Sequence, residues 1–314
     1  MKYAMLFPGQ GSQAVGMLTA LADAYPVVAE TLSEAGDTLG WDLAKVVREG
    51  PAEELNRTER TQPALLAAGV AVWRAWQTHT PAPPTALAGH SLGEYTALVA
   101  ASSLPFEEAL KLVELRGQLM QSAVPGGQGG MVAVVGLDDA GVEKLCASYS
   151  GGLVLEPVNY NAPGQVVVAG QADALKWLED HARAAGARRV VRLPVSVPSH
   201  CSLMKPAALQ LADRLTQIAF NTPAIPVLHN LDAGRHEQAE AVRAALREQL
   251  HKPVRWAQTI QSLAGQGVAI YLECGPGRVL SGLNKRILDR NAVSLALEEP
   301  DGIDQALQKI KESS

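Results

Sequence analysis

Residues Gly89-His90-Ser91-Leu92-Gly93 fit G-x-S-x-G, and a serine in that setting can act as a nucleophile. The glycines permit a tight strand-to-helix turn that pushes the hydroxyl out of a sheet edge. The run from Thr85 to Gly89 reads as a strand and the apolar stretch after Gly93 as a helix, the context the motif requires. The same residues also fit a structural turn whose serine caps a helix.

A serine nucleophile needs a base. The histidines are His79, His90, His181, His200, His229, His236 and His251. His79 and His181 fall at polar helix ends and His236 in a charged stretch, where surface positions are expected. His90 adjoins the serine, but a tight elbow should turn its ring away. His200 follows LPVSVPS, where the chain returns from an inserted segment, and can meet Ser91 at a cleft. Attack on a carbonyl also creates an oxyanion, which needs two N–H donors aimed at one point. One belongs to Leu92, the residue after the nucleophile. The second can come from the loop PGQGSQ at Pro8 to Gln13. That loop does not fit a nucleotide site: its glycines run G-x-G-x4-G, and the Lys-Ser/Thr of a P-loop is missing. No metal centre is expected. His90 and Glu94 are four apart, the spacing of a helix-face contact, and HExxH is absent.

Three places share one grammar of strand, glycine turn and helix: YAMLF into PGQGSQ, TALAG into HSLGEY, and VAIYLEC into GPGRVL. Such alternation predicts a parallel sheet covered on both faces, with all three turns on the edge where ligands collect. Between them, Thr61 is expected to cap a helix with Pro63 in its first turn. A second helix starts at Pro105, and Glu107 and Glu108 suit its positive end. It places Leu112, Leu115 and Leu119 on one face, with Arg116 beside that stripe, so spacing alone reads Arg116 as a surface residue. From VPGGQGG onward the order becomes β-α-β-β-α-β, the ferredoxin-like split pattern. PSHCSLMKPAALQLADRL then reads as a helix of the main domain.

The chain has 314 residues, 47% hydrophobic and 19% charged, which supports a sizeable core. A net charge of −5 without a long basic run argues against nucleic acid, although local basic patches can recognise an acidic protein. Three widely spaced cysteines suggest neither a disulfide framework nor a CxxC metal site. No signal-peptide core and no run of about 18 apolar residues is present. A soluble, cytoplasmic protein without a membrane partner is expected.

FPGQGSQ, GHSLGEY, Arg116-Gly117, VNYNAPGQVVVAG, VSVPSHCSLM, KPVRW and ECGPGRVL occur in this order over nearly the whole chain. Together they resemble the malonyl-CoA:acyl carrier protein transacylase family, in its stand-alone bacterial fatty-acid synthesis form. The resemblance implies an α/β fold: a large hydrolase-like domain around a mostly parallel sheet (1–124 and 197–314) with an inserted ferredoxin-like subdomain (125–196). It implies Ser91 as nucleophile, His200 as base, and the Gln249 backbone carbonyl as the group orienting His200. Gln10 and Leu92 would supply the oxyanion-hole N–H groups, and Arg116 would bind the substrate's free carboxylate. Gln62 and Asn161 match pocket residues. Malonyl-CoA and a holo acyl carrier protein would be the substrates, with no cofactor. A serine esterase or thioesterase, the malonyl-transfer subunit of a malonate decarboxylase, and a nucleotide-binding module are the rival readings. Arg188, Arg189, Arg192, Lys285 and Arg286 are basic candidates for docking an acidic carrier.

Overall fold

The computed structural model describes residues 2–79, 82–195, 197–289 and 291–312; the expected subdomain end at residue 196 and the chain ends lie outside these. Its strands are β1 (Lys2–Phe7), β2 (Ala86–Gly89), β3 (Gly129–Val135), β4 (Leu155–Ala162), β5 (Gln165–Gln171), β6 (Arg189–Arg192), β7 (Val227–Leu228), β8 (Val268–Glu273) and β9 (Val293–Ala296). Five of them form a parallel sheet in the order β7-β2-β1-β8-β9.

The central strand β1 shows why both faces are covered. Successive side chains point to opposite faces. Tyr3, Met5 and Phe7 enter one apolar core, and Ala4 and Leu6 enter another. The first core is closed by the helices Thr58–Gln77 and Phe106–Ala123, the second by Trp256–Gly265 and Val279–Ile287. The three glycine turns follow β1, β2 and β8, which are neighbours, so they share one carboxyl edge.

The remaining strands form an antiparallel sheet in the order β4-β5-β3-β6, with the helices Asp139–Ala147 and Ala172–His181 in between along the chain. This is the ferredoxin-like arrangement. Alternation again gives two faces. Val132 and Val134 of β3 join the subdomain's own core, while Met131 and Ala133 face the side that carries Cys201, next to His200.

Two local expectations need correction. The helix containing Pro63 starts at Thr58, so Pro63 is interior and Thr61 is no cap. Thr61 Oγ1 instead donates to the carbonyls of Leu55 (2.6 Å) and Arg57 (3.0 Å). Proline costs this helix a backbone bond, but burial of Thr58, Thr61 and Gln62 holds the extra turn. The stretch around His200 is not helical either. His200 has φ of +65°, a left-handed value that a right-handed helix excludes. A 3-10 turn, Ser202–Met204, follows, and the helix proper is Lys205–Thr216. The Glu156 carboxylate fixes this turn by accepting from Ser202 N–H (2.9 Å) and Oγ (2.5 Å). Among the described residues, no helix is long and apolar enough to cross a membrane.

Candidate active site

Ser91 sits between β2 and the helix Gly93–Ala100, with φ of +51°. Such a conformation costs a non-glycine residue about 1–3 kcal/mol and persists only where neighbours enforce it. Asn230 enforces it: its Oδ1 accepts from Ser91 N–H (2.7 Å) and its Nδ2 donates to the Gly89 carbonyl (2.6 Å). The turn presses against the first loop. A Cβ on Gly93 would lie 2.0 Å from the Phe7 oxygen, and one on Gly9 would lie 2.5 Å from the His90 oxygen. Only glycine permits this contact. It brings Gln10 and Leu92 onto the wall of the pocket that holds Ser91. Among the described residues, neither backbone N–H has an acceptor.

His200 completes a chain of short contacts. Its Nε2 is 2.7 Å from Ser91 Oγ and its Nδ1 is 2.7 Å from the Gln249 carbonyl oxygen. A carbonyl only accepts, so Nδ1 carries a proton, and the neutral ring turns the Nε2 lone pair to the serine hydroxyl. Gln249 ends the helix Ala239–Gln249. The last carbonyls of a helix have no intrahelical partner, which frees this one for His200. The negative end of the helix dipole also lies behind the ring. Burial pushes the His200 pKa down to about 3, aided by the positive charge of Arg116 and by His90 and opposed by the Gln249 hydrogen bond.

Arg116 is not the surface residue its spacing suggests: it is 1% exposed. The buried stripe of its helix runs through Val113, Arg116, Gly117 and Met120, rotated from Leu115 and Leu119, which are only half-buried. The rotation has a cause in Gly117, where a Cβ would come 2.6 Å from Glu59 Cα, so the helix lies tightly on the Thr58–Gln77 helix. Gln62 faces Arg116 there: Arg116 Nη1 donates to Gln62 Oε1 at 2.7 Å. Arg116 Nη2 donates to Gln249 Oε1 (3.2 Å) and makes a longer contact with Ser91 Oγ (3.4 Å). The guanidinium carbon lies 5.4 Å from the centre of the Tyr95 ring, a cation–π contact. Among the described residues no carboxylate lies within ion-pair distance of Arg116, and its Nε has no partner. Burial lowers its pKa from the ordinary value, yet a guanidinium keeps its charge. A buried guanidinium of this kind can accept an anion through paired charge-assisted hydrogen bonds.

Asn161 lies on β4, and its Oδ1 is 2.8 Å from His90 Nε2, so the His90 ring is turned away from Ser91 as expected. The rest of the Ser91 pocket is mostly apolar, with Met120, Met131, Leu193, Val195 and Val197 beside the polar Asn159 and Ser199. A wider channel continues from it, sharing Gln10, His90, Asn159, Leu193 and Val195 and passing Asn161 and Gln165. Among the described residues no group of His, Cys, Asp or Glu could hold a metal ion.

Sequence reasoning missed several residues. Asn159 lines both pocket and channel, and two-residue alternation from Asn161 would have put it on the same face. Asn230 and His229 carried no motif. Glu94 does not pair with His90: its carboxylate accepts from His229 Nδ1 (2.7 Å), Asn230 N–H (2.9 Å) and Gln249 Nε2 (2.9 Å). His90 is drawn to Asn161 instead, and these three donors satisfy the buried carboxylate.

The acyl transferase domain model matches residues 4–297. The malonyl CoA-acyl carrier protein transacylase of Escherichia coli O157:H7 is 52% identical over 307 residues, spanning 98% of this chain and 99% of the relative. That of Bacillus subtilis is 39% identical over 314 residues, covering 100% and 98%. An acyl carrier protein S-malonyltransferase from Vibrio cholerae superposes with a TM-score of 0.94 at 52% identity, over 97% and 99% of the chains. A malonyl-transacylase in complex with its type II PKS acyl-carrier protein superposes with a TM-score of 0.96 at 51% identity, over 98% and 100%. With its fold and sequence shared along nearly its whole length, this chain belongs to the malonyl-CoA:acyl carrier protein transacylase family.

Proposed function

We propose that this chain moves a malonyl group from malonyl-CoA to the phosphopantetheine thiol of an acyl carrier protein, through a malonyl ester on Ser91. The observation that carries the residue roles is the buried Arg116, in ion-pair contact with no carboxylate among the described residues, beside the Ser91–His200 contact. His200 Nε2 takes the Ser91 proton while Oγ attacks the thioester carbonyl. The resulting oxyanion lies against the Gln10 and Leu92 N–H groups. When it collapses, the carbon–sulfur bond breaks and His200 returns the proton to the departing CoA sulfur. The carrier thiol then gives its proton to His200 and attacks the ester, and Ser91 leaves with that proton. Arg116 grips the malonyl carboxylate throughout, with Gln62 steering its fork. Every proton and charge is handled by this chain, so the scheme calls for no cofactor.

Asn161 and Asn159 line the channel along which an extended pantetheine arm would reach Ser91. Exposed Arg188, Arg189, Arg192, Lys285 and Arg286 are the basic groups we assign to the acidic carrier. We take residues 125–196 as the inserted subdomain, a reading supported by strands that begin at Gly129 and end at Arg192. The three free, buried cysteines of the chain accord with a reducing compartment, and we place the protein in the cytoplasm. The carrier is that of fatty-acid synthesis; a type II polyketide carrier is the second reading, favoured by the likeness to the complexed transacylase.

The test is incubation with malonyl-CoA, with and without holo carrier protein. Malonyl-carrier should form in parallel-line, ping-pong kinetics, with little malonate released before the carrier is added. Rapid release of malonate from malonyl-CoA alone would instead mark a thioesterase. Comparing fatty-acid and polyketide carriers at equal concentration separates the two carrier readings.

The depressed pKa of His200 gives a further expectation. A base whose pKa has fallen from 6.5 to about 3 stays neutral at pH 5. Single-turnover acylation should therefore hold nearly level from pH 7 to about pH 5, with its acid limb far below that of an ordinary histidine. Linkage runs the same way: the unfolded chain takes a proton on His200 near pH 6.5 and the folded one does not, so stability is lost as pH falls from there toward 3. Arg116→Ala should move the acid limb upward, because it removes a positive charge and lets water in. An acid limb at or above pH 6.5 in the wild type would contradict this assignment.

A further inference from the structure

The GHSLGE motif ends in a carboxylate that the transfer scheme does not use. Glu94 is fully buried, three residues past Ser91 in the first turn of the helix Gly93–Ala100. A buried carboxylate is costly unless donors surround it. Glu94 has three, and two belong to residues that hold the reacting groups. Its Oε2 accepts from Gln249 Nε2 and from Asn230 N–H, both at 2.9 Å, and its Oε1 accepts from His229 Nδ1 at 2.7 Å.

We propose that Glu94 is a positioning residue for malonyl transfer, acting through the side chain of Gln249. Gln249 meets the base, the cation and the serine turn. Its main-chain oxygen holds His200 Nδ1 (2.7 Å), its Oε1 accepts from Arg116 Nη2 (3.2 Å), and its Nε2 donates to the Ser91 carbonyl (2.9 Å) as well as to Glu94. An amide can face either way round. The carboxylate only accepts, so it forces the Gln249 NH2 toward itself and Ser91 and leaves Oε1 for Arg116. With the opposite orientation, an NH2 would confront the guanidinium and Oε1 would confront the carboxylate. Through Asn230 N–H, Glu94 also steadies the residue whose side chain clamps Ser91 N–H and the Gly89 carbonyl. One carboxylate thus fixes the serine turn, the ring of the base and the substrate-binding cation relative to one another.

Glu94→Gln removes the charge but keeps an acceptor in place. The amide oxygen can face Asn230 and Gln249, and the NH2 can donate to His229 Nδ1 if that ring moves its proton to Nε2. That move leaves a buried Nε2–H without an acceptor among the described residues, a cost that falls on stability and that thermal melts record separately from the rate. Glu94→Gln should therefore recover most of the rate that Glu94→Ala loses. Glu94→Ala should lower kcat for malonyl loading about 10- to 100-fold, the cost of a misplaced reacting group. KM should change less, and the malonyl-over-acetyl preference should fall as Arg116 loosens. Gln249→Leu keeps the main-chain carbonyl but removes the link, and should give the same loss of kcat and preference. The double variant should be little worse than either single one.

The measurement is single-turnover loading with malonyl-CoA and acetyl-CoA, normalised to the folded fraction from thermal melts. Lower melting temperatures with kcat and preference unchanged in Glu94→Ala and Gln249→Leu would reduce Glu94 to part of the folded core and overturn the proposal. A loss in Glu94→Gln equal to that in Glu94→Ala would also overturn it, since the charge would then be what matters. If Glu94→Ala does not fold, wild-type kinetics in Gln249→Leu suffice to reject it. The inference rests on the malonyl-transfer reading, whose own failure would show separately, as a wild type that does not load.

Discussion

His200→Ala should slow malonyl loading by about 10²- to 10⁴-fold, the usual contribution of a positioned general base. The reason lies in the acid to be deprotonated. A serine hydroxyl has almost no alkoxide at neutral pH, so attack depends on the Nε2 lone pair held 2.7 Å from Oγ. The second half-reaction is less demanding, because a thiol with a pKa of about 8.5 is already a few per cent thiolate at pH 7. Transfer from a preformed malonyl-enzyme to the carrier should therefore suffer less than loading, and raising the pH should restore the transfer step more than the loading step. Rapid-quench measurement of the two half-reactions checks this. Equal loss in both, independent of pH, would mean that His200 acts through structure and not as a base.

Arg116→Ala should cut kcat/KM for malonyl-CoA by about 30- to 1,000-fold, equivalent to about 2–4 kcal/mol for removing one partner of a buried, hydrogen-bonded charge pair. Loading from acetyl-CoA should be unchanged or faster. In the wild type an acetyl group would leave the buried guanidinium with no carboxylate in contact, only the longer-range charge of Glu94, and would place a methyl against it, a mismatch that would discriminate. The ratio of malonyl to acetyl loading is thus the readout, and a ratio unaltered by Arg116→Ala would remove Arg116 from substrate recognition. Arg116→Lys should rescue only partly. An ammonium cannot reach Gln62 and Gln249 with the two separate arms that Arg116 uses at 2.7 and 3.2 Å.

Much of the fold was legible because each element obeyed a local rule. The repeated order of strand, glycine turn and helix marks a parallel sheet covered on both faces, and the glycine turns after β1, β2 and β8 mark one sheet edge. Positions fixed by contacts distant in sequence were not legible. The depth of Arg116 follows from the approach of Gly117 to Glu59, which helical spacing within Phe106–Ala123 does not reveal. The turn at His200 follows from a left-handed backbone and from Glu156, 46 residues earlier. Glu94 was misread because its nearest histidine in sequence, His90, is claimed by Asn161, whereas its partner His229 lies 135 residues away. The resemblance supplied roles for Gln249 and Gln62 that residue type alone does not suggest. It did not suggest the side-chain bond between Gln249 and Glu94.

The central claim is that the malonyl group passes through Ser91. Intact-protein mass spectrometry after malonyl-CoA, and again after holo carrier protein, tests it most directly. The account predicts one malonyl adduct on the wild type, mapped to Ser91, absent from Ser91→Ala, and discharged when the carrier is added with matching gain of mass on the carrier. Malonyl-carrier formed at the wild-type rate by Ser91→Ala, or an adduct that the carrier thiol leaves in place, would contradict it.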